Sequence, residues 1–208
     1  MLDLAFAVQG RALPRSHRAA LAAALQRALP WLGEPGGAAV HRLNGVTGGD
    51  AATLLLSGRT RLTLRLPRER VAEATAALDG ATLQIGAGAL RLGAAHAREL
   101  LPFGTLYAHF VAAAGDDGAA DAGDEAAFMA EVQRALAALE VDARVICGRR
   151  QRLDEGGAGS LGGYGLMLDG LDREDSRRVL ERGIGPHRLW GCGVFVPHKS
   201  AAAVGMPD

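Results

Sequence analysis

The order of strands and helices along this 208-residue chain repeats once, and this repeat constrains the fold more than any other feature. Apolar residues alternate from Leu2 to Val8 as they do in a half-buried strand, and leucines then recur every fourth residue in a segment that predicts a helix over 15–28. Similar patterns predict a second helix at 68–78 and strands at 40–43, 53–56, 61–66, 82–85 and 89–92. The second half repeats the order, with predicted helices at 125–139 and 173–181 and predicted strands at 105–111, 143–147, 164–168 and 194–197.

Each half therefore has the order β-α-β-β-α-β, with extra strands in the first half, which is the order of the ferredoxin-like motif. The same alternation of strands and helices is compatible with one open α/β sheet. Adjacent strand pairs within each half, and the matching order and length of the halves, favour two tandem domains instead. We predict an α+β protein with ferredoxin-like domains at residues 1–97 and 98–208, joined by a linker within 93–102.

The formal net charge is zero, which argues against a generic basic nucleic-acid-binding protein, but the charge is unevenly distributed. Residues 1–100 contain 12 Arg and 7 acidic residues, which gives +5. Residues 101–208 contain 11 Lys or Arg and 16 acidic residues, which gives −5. A partner that carries phosphates would therefore prefer the first half and the basic surface that the second half retains.

Cysteine usage and hydropathy indicate the cellular setting. Cys147 and Cys192 form no Cys-x-x-Cys pair, residues 1–9 lack the charged start of a signal peptide, and no apolar run reaches the roughly 18 residues of a membrane span. We expect a reduced, cytoplasmic protein that does not bind a membrane. No group of His, Cys or carboxylate residues has the spacing of metal ligands, so we expect no metal and no cofactor.

The segment 181–200 carries the strongest functional signal, because His187 and Arg188 lie within a run of four closely spaced glycines: Gly183, Gly185, Gly191 and Gly193. The dinucleotide-binding fingerprint follows a strand and opens a helix, whereas the order here is helix, glycines, strand. A P-loop is excluded because no Gly-Lys-Ser/Thr opens a helix. Two interpretations remain. The backbone amides of the loop could approach phosphates, or Gly183 is a helix C-cap followed by β-bulges at Gly191 and Gly193.

The stretch Gly-Ile-Gly-Pro-His-Arg-Leu-Trp-Gly-Cys-Gly-Val-Phe-Val-Pro at 183–197 resembles the C-terminal glycine-rich loop of the RAMP superfamily of CRISPR proteins. Its amino-acid sequence is similar to that of the same loop in the repeat-processing nucleases of this superfamily. Further similar stretches lie in the expected order at 13–18, 28–32, 40–43, 57–67 and 101–108, so the resemblance spans almost the whole chain.

The resemblance implies a RAMP-type fold of tandem ferredoxin-like domains. It also implies a CRISPR-associated endoribonuclease that cuts the repeat transcript at the base of a repeat hairpin and keeps the guide RNA bound. The reaction of such enzymes needs no metal and leaves a 2′,3′-cyclic phosphate. The expected partners are RNA and other subunits of a CRISPR effector complex.

RNA carries its own nucleophile, the 2′-hydroxyl, so cleavage needs a base for that hydroxyl, an acid for the leaving 5′-oxygen and cations for the developing charge. Histidine suits both proton transfers. We expect His17, in the first turn of the first helix, to be the main acid or base, since the nucleases that the chain resembles often carry the catalytic histidine there. His41 is the second candidate, and Tyr107 is an alternative proton donor. We interpret His96 as part of the linker and His109 as a core residue.

The residues that we expect to contact RNA are basic side chains and the loop glycines: Arg18, Arg149, Arg150, Gly183, Gly185, His187, Arg188, Gly191, Gly193 and Lys199. RNA duplexes are recognised mostly through their shape and backbone, for which arginine-rich surfaces suffice. The scarcity of Tyr and Trp argues against recognition of single strands by base stacking.

Two other functions remain open from the sequence. The chain could be a non-catalytic RNA-binding RAMP subunit of a CRISPR effector complex, which would bind RNA without cutting it. It could also be a small-molecule enzyme of ferredoxin-like fold that uses the glycine-rich loop for a phosphate-bearing cofactor.

Overall fold

The computed structural model describes residues 1–34, 38–48, 52–115 and 124–198. The chain folds into two compact units. Unit 1 contains Met1–Glu99 and two short segments from later in the chain, Asp154–Gly159 and Arg188–Gly191, and unit 2 contains the rest of the described chain. The contiguous domains proposed from the sequence, 1–97 and 98–208, remain a prediction.

Unit 1 is built on a five-stranded sheet of order β3-β6-β1-β8-β7, beside a smaller sheet of order β2-β5-β4. Its helices are α1 (Arg18–Ala28) and α2 (Val71–Leu78). Its strands are β1 (Leu2–Gln9), β2 (Ala12–Pro14), β3 (Ala39–Val40), β4 (Val46–Thr47), β5 (Thr53–Leu55), β6 (Arg61–Leu66), β7 (Thr82–Ile85) and β8 (Gly88–Glu99). Short 3₁₀ turns lie at Pro30–Gly33, Arg68–Arg70, Gly156–Ala158 and Arg188–Trp190.

Unit 2 is built on a four-stranded sheet of order β10-β11-β9-β12. Its helices are α3 (Glu125–Ala138) and α4 (Arg173–Arg182). Its strands are β9 (Thr105–Ala112), β10 (Arg144–Asp154), β11 (Ser160–Asp169) and β12 (Phe195–Pro197). The last residue of β10 belongs to unit 1.

The same strand order occurs in both units and confirms the predicted fold class. Apart from the added edge strand β7, the sheets run β3-β6-β1-β8 and β10-β11-β9-β12. When the strands of each motif are numbered along the chain, both sheets have the spatial order 2-3-1-4. The pairs β1–β6, β1–β8, β9–β11 and β9–β12 are all antiparallel. The chain is therefore an α+β protein with two ferredoxin-like motifs in tandem.

The predicted periodicities correspond to buried faces. In α1, Leu21 and Leu25 are buried against the sheet of unit 1, where Phe6 and Leu64 are fully buried. In α3, Phe128 packs on Tyr164 with ring centroids 4.5 Å apart. Full burial of one such side chain stabilises the fold by roughly 1.5–3 kcal/mol, so these faces fix which side of each element points inward.

Three local predictions are wrong. His96 lies in β8 opposite Ala5 rather than in a linker, because pairing with β1 continues through the small residues of this segment as far as Glu99. The first helix begins at Arg18 rather than at 15, because β2 continues to Pro14 and residues 15–17 form the turn that follows it. His109 is exposed rather than in the core, because it lies on the outer face of β9, while the neighbouring Ala108 points inward.

Among the described helices, none combines the length and the apolar character that are needed to cross a membrane.

Candidate functional site

His17 stands at the point where β2 turns into α1. The residue occupies the N-cap position of α1 and is only 5% exposed. Its ring Nδ1 lies 2.9 Å from the carbonyl oxygen of Pro14 and 3.0 Å from that of Arg15. A carbonyl oxygen can only accept a hydrogen bond, so Nδ1 carries the proton, and in the neutral ring Nε2 carries the lone pair.

The surroundings of His17 favour this neutral ring. Burial lowers the pKa of the imidazole, and the positive charges of Arg18 and Arg42 lower it further. The hydrogen bonds to the two backbone carbonyls act in the opposite direction but do not outweigh burial. His17 is therefore a neutral histidine with a basic Nε2 and arginines close by.

The helix that follows His17 is capped from a distant part of the chain. Oε2 of Glu155 accepts hydrogen bonds from the backbone N–H of Arg18 (2.8 Å) and of Ala19 (3.2 Å). The Glu155 side chain is fully buried, and its Oε1 lies 3.9 Å from Nε of Arg18. Burial raises the pKa of this carboxyl, although the two N–H groups and the Arg18 charge favour the ionised form. No local sequence pattern links Glu155 to α1, so it was not among the predicted site residues.

The segment Arg188–Gly191 reaches the same helix start. Nη1 of Arg18 donates a hydrogen bond to the carbonyl oxygen of Trp190 (3.1 Å). Gly191 has φ +79°, and a Cβ there would lie 3.3 Å from the backbone N of Arg42 and the carbonyl oxygen of Val40. A side chain at this position would press on the strand that leads to His41, so Gly191 permits a close approach of two backbones. Within unit 1, the structure thus brings together His17, Arg18, Arg42, Glu155 and the end of the glycine-rich segment.

The other loop glycines lie in unit 2 and have backbone roles. Gly183 ends α4 with φ +64°, as the C-cap interpretation predicted. Gly193 also has φ +64°, and a Cβ there would overlap the carbonyl oxygen of Ile184. Its N–H donates to the carbonyl oxygen of Phe110 (2.8 Å), and the Gly191 N–H donates to that of Arg188 (3.1 Å). These amides are bonded within the protein, so contact of the loop with RNA remains a prediction.

His41 has a different environment from His17. Its Nε2 lies 3.2 Å from Oδ1 of Asp3, and the same carboxylate accepts hydrogen bonds from Nε (2.8 Å) and Nη2 (3.0 Å) of the buried Arg65. Burial opposes ionisation of Asp3, but the hydrogen bonds and charges of His41 and Arg65 outweigh it and hold the pKa of the carboxyl well below its usual value. His41 therefore takes part in a partly buried hydrogen-bond network with Asp3 and Arg65.

Most of the remaining predicted RNA contacts lie on the surface of unit 2. Arg149 is exposed and Arg150 half-buried in β10, and both line a pocket of about 480 Å³ together with Tyr107, His109, Gly148, Gln151 and Gly165. His187 and Gly185 are exposed. Lys199 lies outside the described residues. In the described part of the chain, no group of three or more His, Cys, Asp or Glu side chains could hold a metal ion.

Solved structures define the class of this fold. A structure described as CRISPR associated protein Cas6 superposes with a TM-score of 0.67 at 12% identity, over 95% of this chain and 99% of that chain. A RAMP protein described as binding different RNA substrates superposes with a TM-score of 0.65 at 15% identity, over 94% of this chain and 98% of that chain. At this level of identity the similarity concerns the fold alone, and it agrees with the fold that the sequence predicted.

The sequence comparisons identify the family within this class. The family profile described as Cas6 Crispr matches residues 2–200. The chain is also 40% identical over 203 residues to the CRISPR-associated endonuclease Cas6 of Myxococcus xanthus strain DK1622, covering 98% of this chain and 84% of that protein. The chain belongs to the Cas6 family.

Proposed function

We propose that this protein is an endoribonuclease that cuts CRISPR repeat transcripts into guide RNAs. The family match and the 40% identity to a protein described as a CRISPR-associated endonuclease support this activity. The observation that supports the catalytic assignment most directly is the state of His17. It is a neutral ring whose Nδ1–H is bound to backbone carbonyls and whose Nε2 is the basic atom, at the start of a helix that also carries Arg18.

In the proposed reaction, Nε2 of His17 takes the proton from the 2′-hydroxyl of the nucleotide before the cut. The 2′-oxygen attacks the adjacent phosphorus, the bond to the 5′-oxygen of the next nucleotide breaks, and that oxygen takes a proton from solvent water, while the ring of His17 later returns its proton to solvent. The products are a 2′,3′-cyclic phosphate and a 5′-hydroxyl, and the reaction uses no metal ion. The guanidinium groups of Arg18 and Arg42 are close enough to His17 to lower its pKa, so they can also stabilise negative charge that develops on a phosphate there.

We assign His41 a secondary role. Its Nε2 is hydrogen-bonded to the Asp3 carboxylate, so this nitrogen is engaged within the protein rather than presented to a substrate. We also propose that the RNA is contacted by further residues predicted from the sequence: Arg149, Arg150, His187, Arg188 and Lys199. The proposal includes retention of the cut RNA and association with other CRISPR effector subunits.

The cleavage assay uses a labelled repeat RNA in the presence of EDTA. We expect cutting to continue under these conditions, and the upstream product to be lighter by one water than the linear 3′-phosphate. A 2′-deoxy substitution at the nucleotide before the cut removes the nucleophile and should abolish cleavage while RNA binding persists. Loss of cutting in EDTA, with binding intact and activity restored by a divalent ion, would refute the metal-independent mechanism.

The catalytic assignment is tested by His17→Ala and His41→Ala. Loss of a general base typically lowers a rate by about 10²–10⁴-fold, and we expect this loss for His17→Ala with unchanged affinity for the 2′-deoxy RNA. His41→Ala should mainly lower stability. If His17→Ala cuts at the wild-type rate, His17 is not the base, and a loss confined to His41→Ala would move the assignment there.

The second candidate function is a non-catalytic RNA-binding RAMP subunit. The structural similarity to a RAMP protein described as binding different RNA substrates favours it. It predicts saturable binding of the repeat RNA without any product, and wild-type protein in the EDTA assay distinguishes the two functions directly.

A further inference from the structure

The start of α1 obtains its cap in a different way from the other long helices. Asp124 caps α3 by accepting from the N–H of Ala126 (2.9 Å), and Asp172 caps α4 by accepting from the N–H of Asp175 (2.8 Å). Both caps are the residue immediately before the helix. In α1, all of whose residues are described, the N-cap His17 makes no such bond and the first turn has no acidic residue.

Glu155 supplies the missing cap from 137 positions along the chain. Its carboxylate satisfies two of the N–H groups that every helix leaves open at its start. Its negative charge also lies at the positive end of the helix dipole, which favours it further. The orientation of the first turn of α1 therefore depends on where Glu155 is held.

Glu155 is held by a short, internally bonded turn. The N–H of Glu155 donates to the carbonyl oxygen of Gly159 (2.9 Å), and the carbonyl oxygen of Glu155 accepts from the N–H of Ala158 (3.2 Å). The N–H of Gly156 donates to Oδ1 of Asp154 (2.9 Å). Gly156 and Gly159 have φ +59° and +94°, which a residue with a side chain rarely adopts. The sequence Asp154–Gly159 thus forms a defined platform for one carboxylate.

One atom of this cap, Oε1 of Glu155, is in an unfavourable environment. Oε1 of Glu155 is buried and makes no hydrogen bond with any described residue, and its closest cation, Nε of Arg18, is 3.9 Å away. Burying a carboxylate with half of its acceptors unsatisfied is unfavourable, and a serine or aspartate at position 17 would cap the helix locally without it. Position 17 is instead a histidine. The chain therefore keeps the imidazole at the N-cap and takes the capping group from elsewhere.

We propose that Glu155 is a positioning residue for RNA cleavage, which fixes the first turn of α1 so that His17 and Arg18 keep their places relative to the reacting phosphate. This inference rests on the proposed nuclease function. In this proposal Glu155, whose side chain is bonded to the backbone of α1, acts through the helix and does not touch the RNA or the reacting atoms. It acts on the rate of the chemical step and not on RNA affinity.

The test compares variants at Glu155 with a cap variant elsewhere. Glu155→Ala removes the acceptor, and Glu155→Gln keeps an acceptor oxygen without the charge. Glu155→Asp keeps the charge on a shorter side chain. Asp124→Ala is the matched control, because it removes the local cap of α3 in unit 2. Each protein is assayed at a temperature where circular dichroism shows that it is fully folded. Single-turnover cleavage and affinity for the 2′-deoxy repeat RNA are measured.

We expect Glu155→Ala to slow single-turnover cleavage by on the order of 10- to 100-fold, since small misplacements of catalytic groups have effects of this size. Its RNA affinity should stay within about threefold, and Glu155→Gln should recover most of the rate through the retained acceptor. Asp124→Ala should cut at the wild-type rate. If Glu155→Ala does not fold, Glu155→Asp and Glu155→Gln carry the test, and the aspartate variant should be the slower of the two.

Equal rates for the Glu155 variants and Asp124→Ala, each fully folded, would overturn the positioning role and leave a purely structural cap. A loss in Glu155→Ala that appears wholly in RNA affinity would also overturn it. Wild-type protein that binds but never cuts would refute the nuclease function itself and with it any positioning role, so the two failures are distinguishable.

Discussion

The ion pair between Asp3 and the buried Arg65 allows a quantitative prediction about stability. Arg65 is only 1% exposed, and the Asp3 carboxylate is one of its partners, through hydrogen bonds of 2.8 and 3.0 Å. Asp3 and Arg65 lie opposite each other on the paired strands β1 and β6. Asp3→Ala removes the carboxylate and leaves the guanidinium buried there, at a depth where water cannot solvate it.

The size of the effect follows from the desolvation of the charge. Removing one partner of a buried ion pair typically costs about 3–5 kcal/mol, because the remaining charge loses the opposite charge beside it. His41 loses a hydrogen bond as well. We therefore expect Asp3→Ala to lower the free energy of unfolding by about 3–5 kcal/mol. The double variant Asp3→Ala/Arg65→Met should recover much of this loss, because an apolar side chain then replaces the buried charge.

Urea unfolding at pH 7, followed by circular dichroism, measures this difference. The exposed pair Arg68–Glu99 provides the control, because its N–O distance is 2.6 Å but both side chains are more than half exposed. Glu99→Gln should leave the unfolding midpoint nearly unchanged, since solvent screens exposed pairs. If Asp3→Ala and Glu99→Gln change stability equally, burial does not determine the strength of the Asp3–Arg65 pair, and the reasoning is refuted.

Three single features of the chain give further predictions. Because the pKa of His17 is lowered from its usual 6.5, the single-turnover cleavage rate should fall only below that pH, as the ring gains a proton, and should be full above it. A pH–rate profile whose acid limb has its midpoint above about 7 would contradict this assignment. The lowered pKa of Asp3 means that its contribution to stability is present above about pH 4 and is lost as the pH falls towards the folded-state pKa, which acid unfolding of wild type and Asp3→Asn can measure. Gly193→Ala should destabilise more than Gly80→Ala in thermal unfolding. Both positions have positive φ, worth about 1–2 kcal/mol, but only Gly193 would overlap a neighbouring carbonyl, whereas no described atom lies within 4 Å of a Cβ at Gly80.

The sequence alone determined the fold class, because the signal is local and repeated. The alternation of apolar residues at 2–8 shows which face of the first strand is buried, and the leucines that recur every fourth residue in the first helix do the same for that helix. Neither pattern requires knowledge of the element against which the face packs. The order of such elements, repeated in both halves with adjacent strand pairs, favours two ferredoxin-like domains over one open α/β sheet. The glycine at position 183 was likewise readable as a helix C-cap, since caps are determined by neighbouring residues.

Only the tertiary structure decided what lies opposite each element. The 137 positions between Glu155 and Arg18 leave no pattern in a linear reading, so the capping of α1 became visible only when the chain was folded. The same holds for His41. Its ring is hydrogen-bonded to the Asp3 carboxylate, whereas the ring of His17 is hydrogen-bonded to backbone carbonyls, and the sequence does not distinguish these two environments. Hydrophobic periodicity indicates which face of an element is buried. The hydrogen-bond partners of a side chain depend on contacts that only the whole fold creates, and these partners determine how His17 and His41 differ.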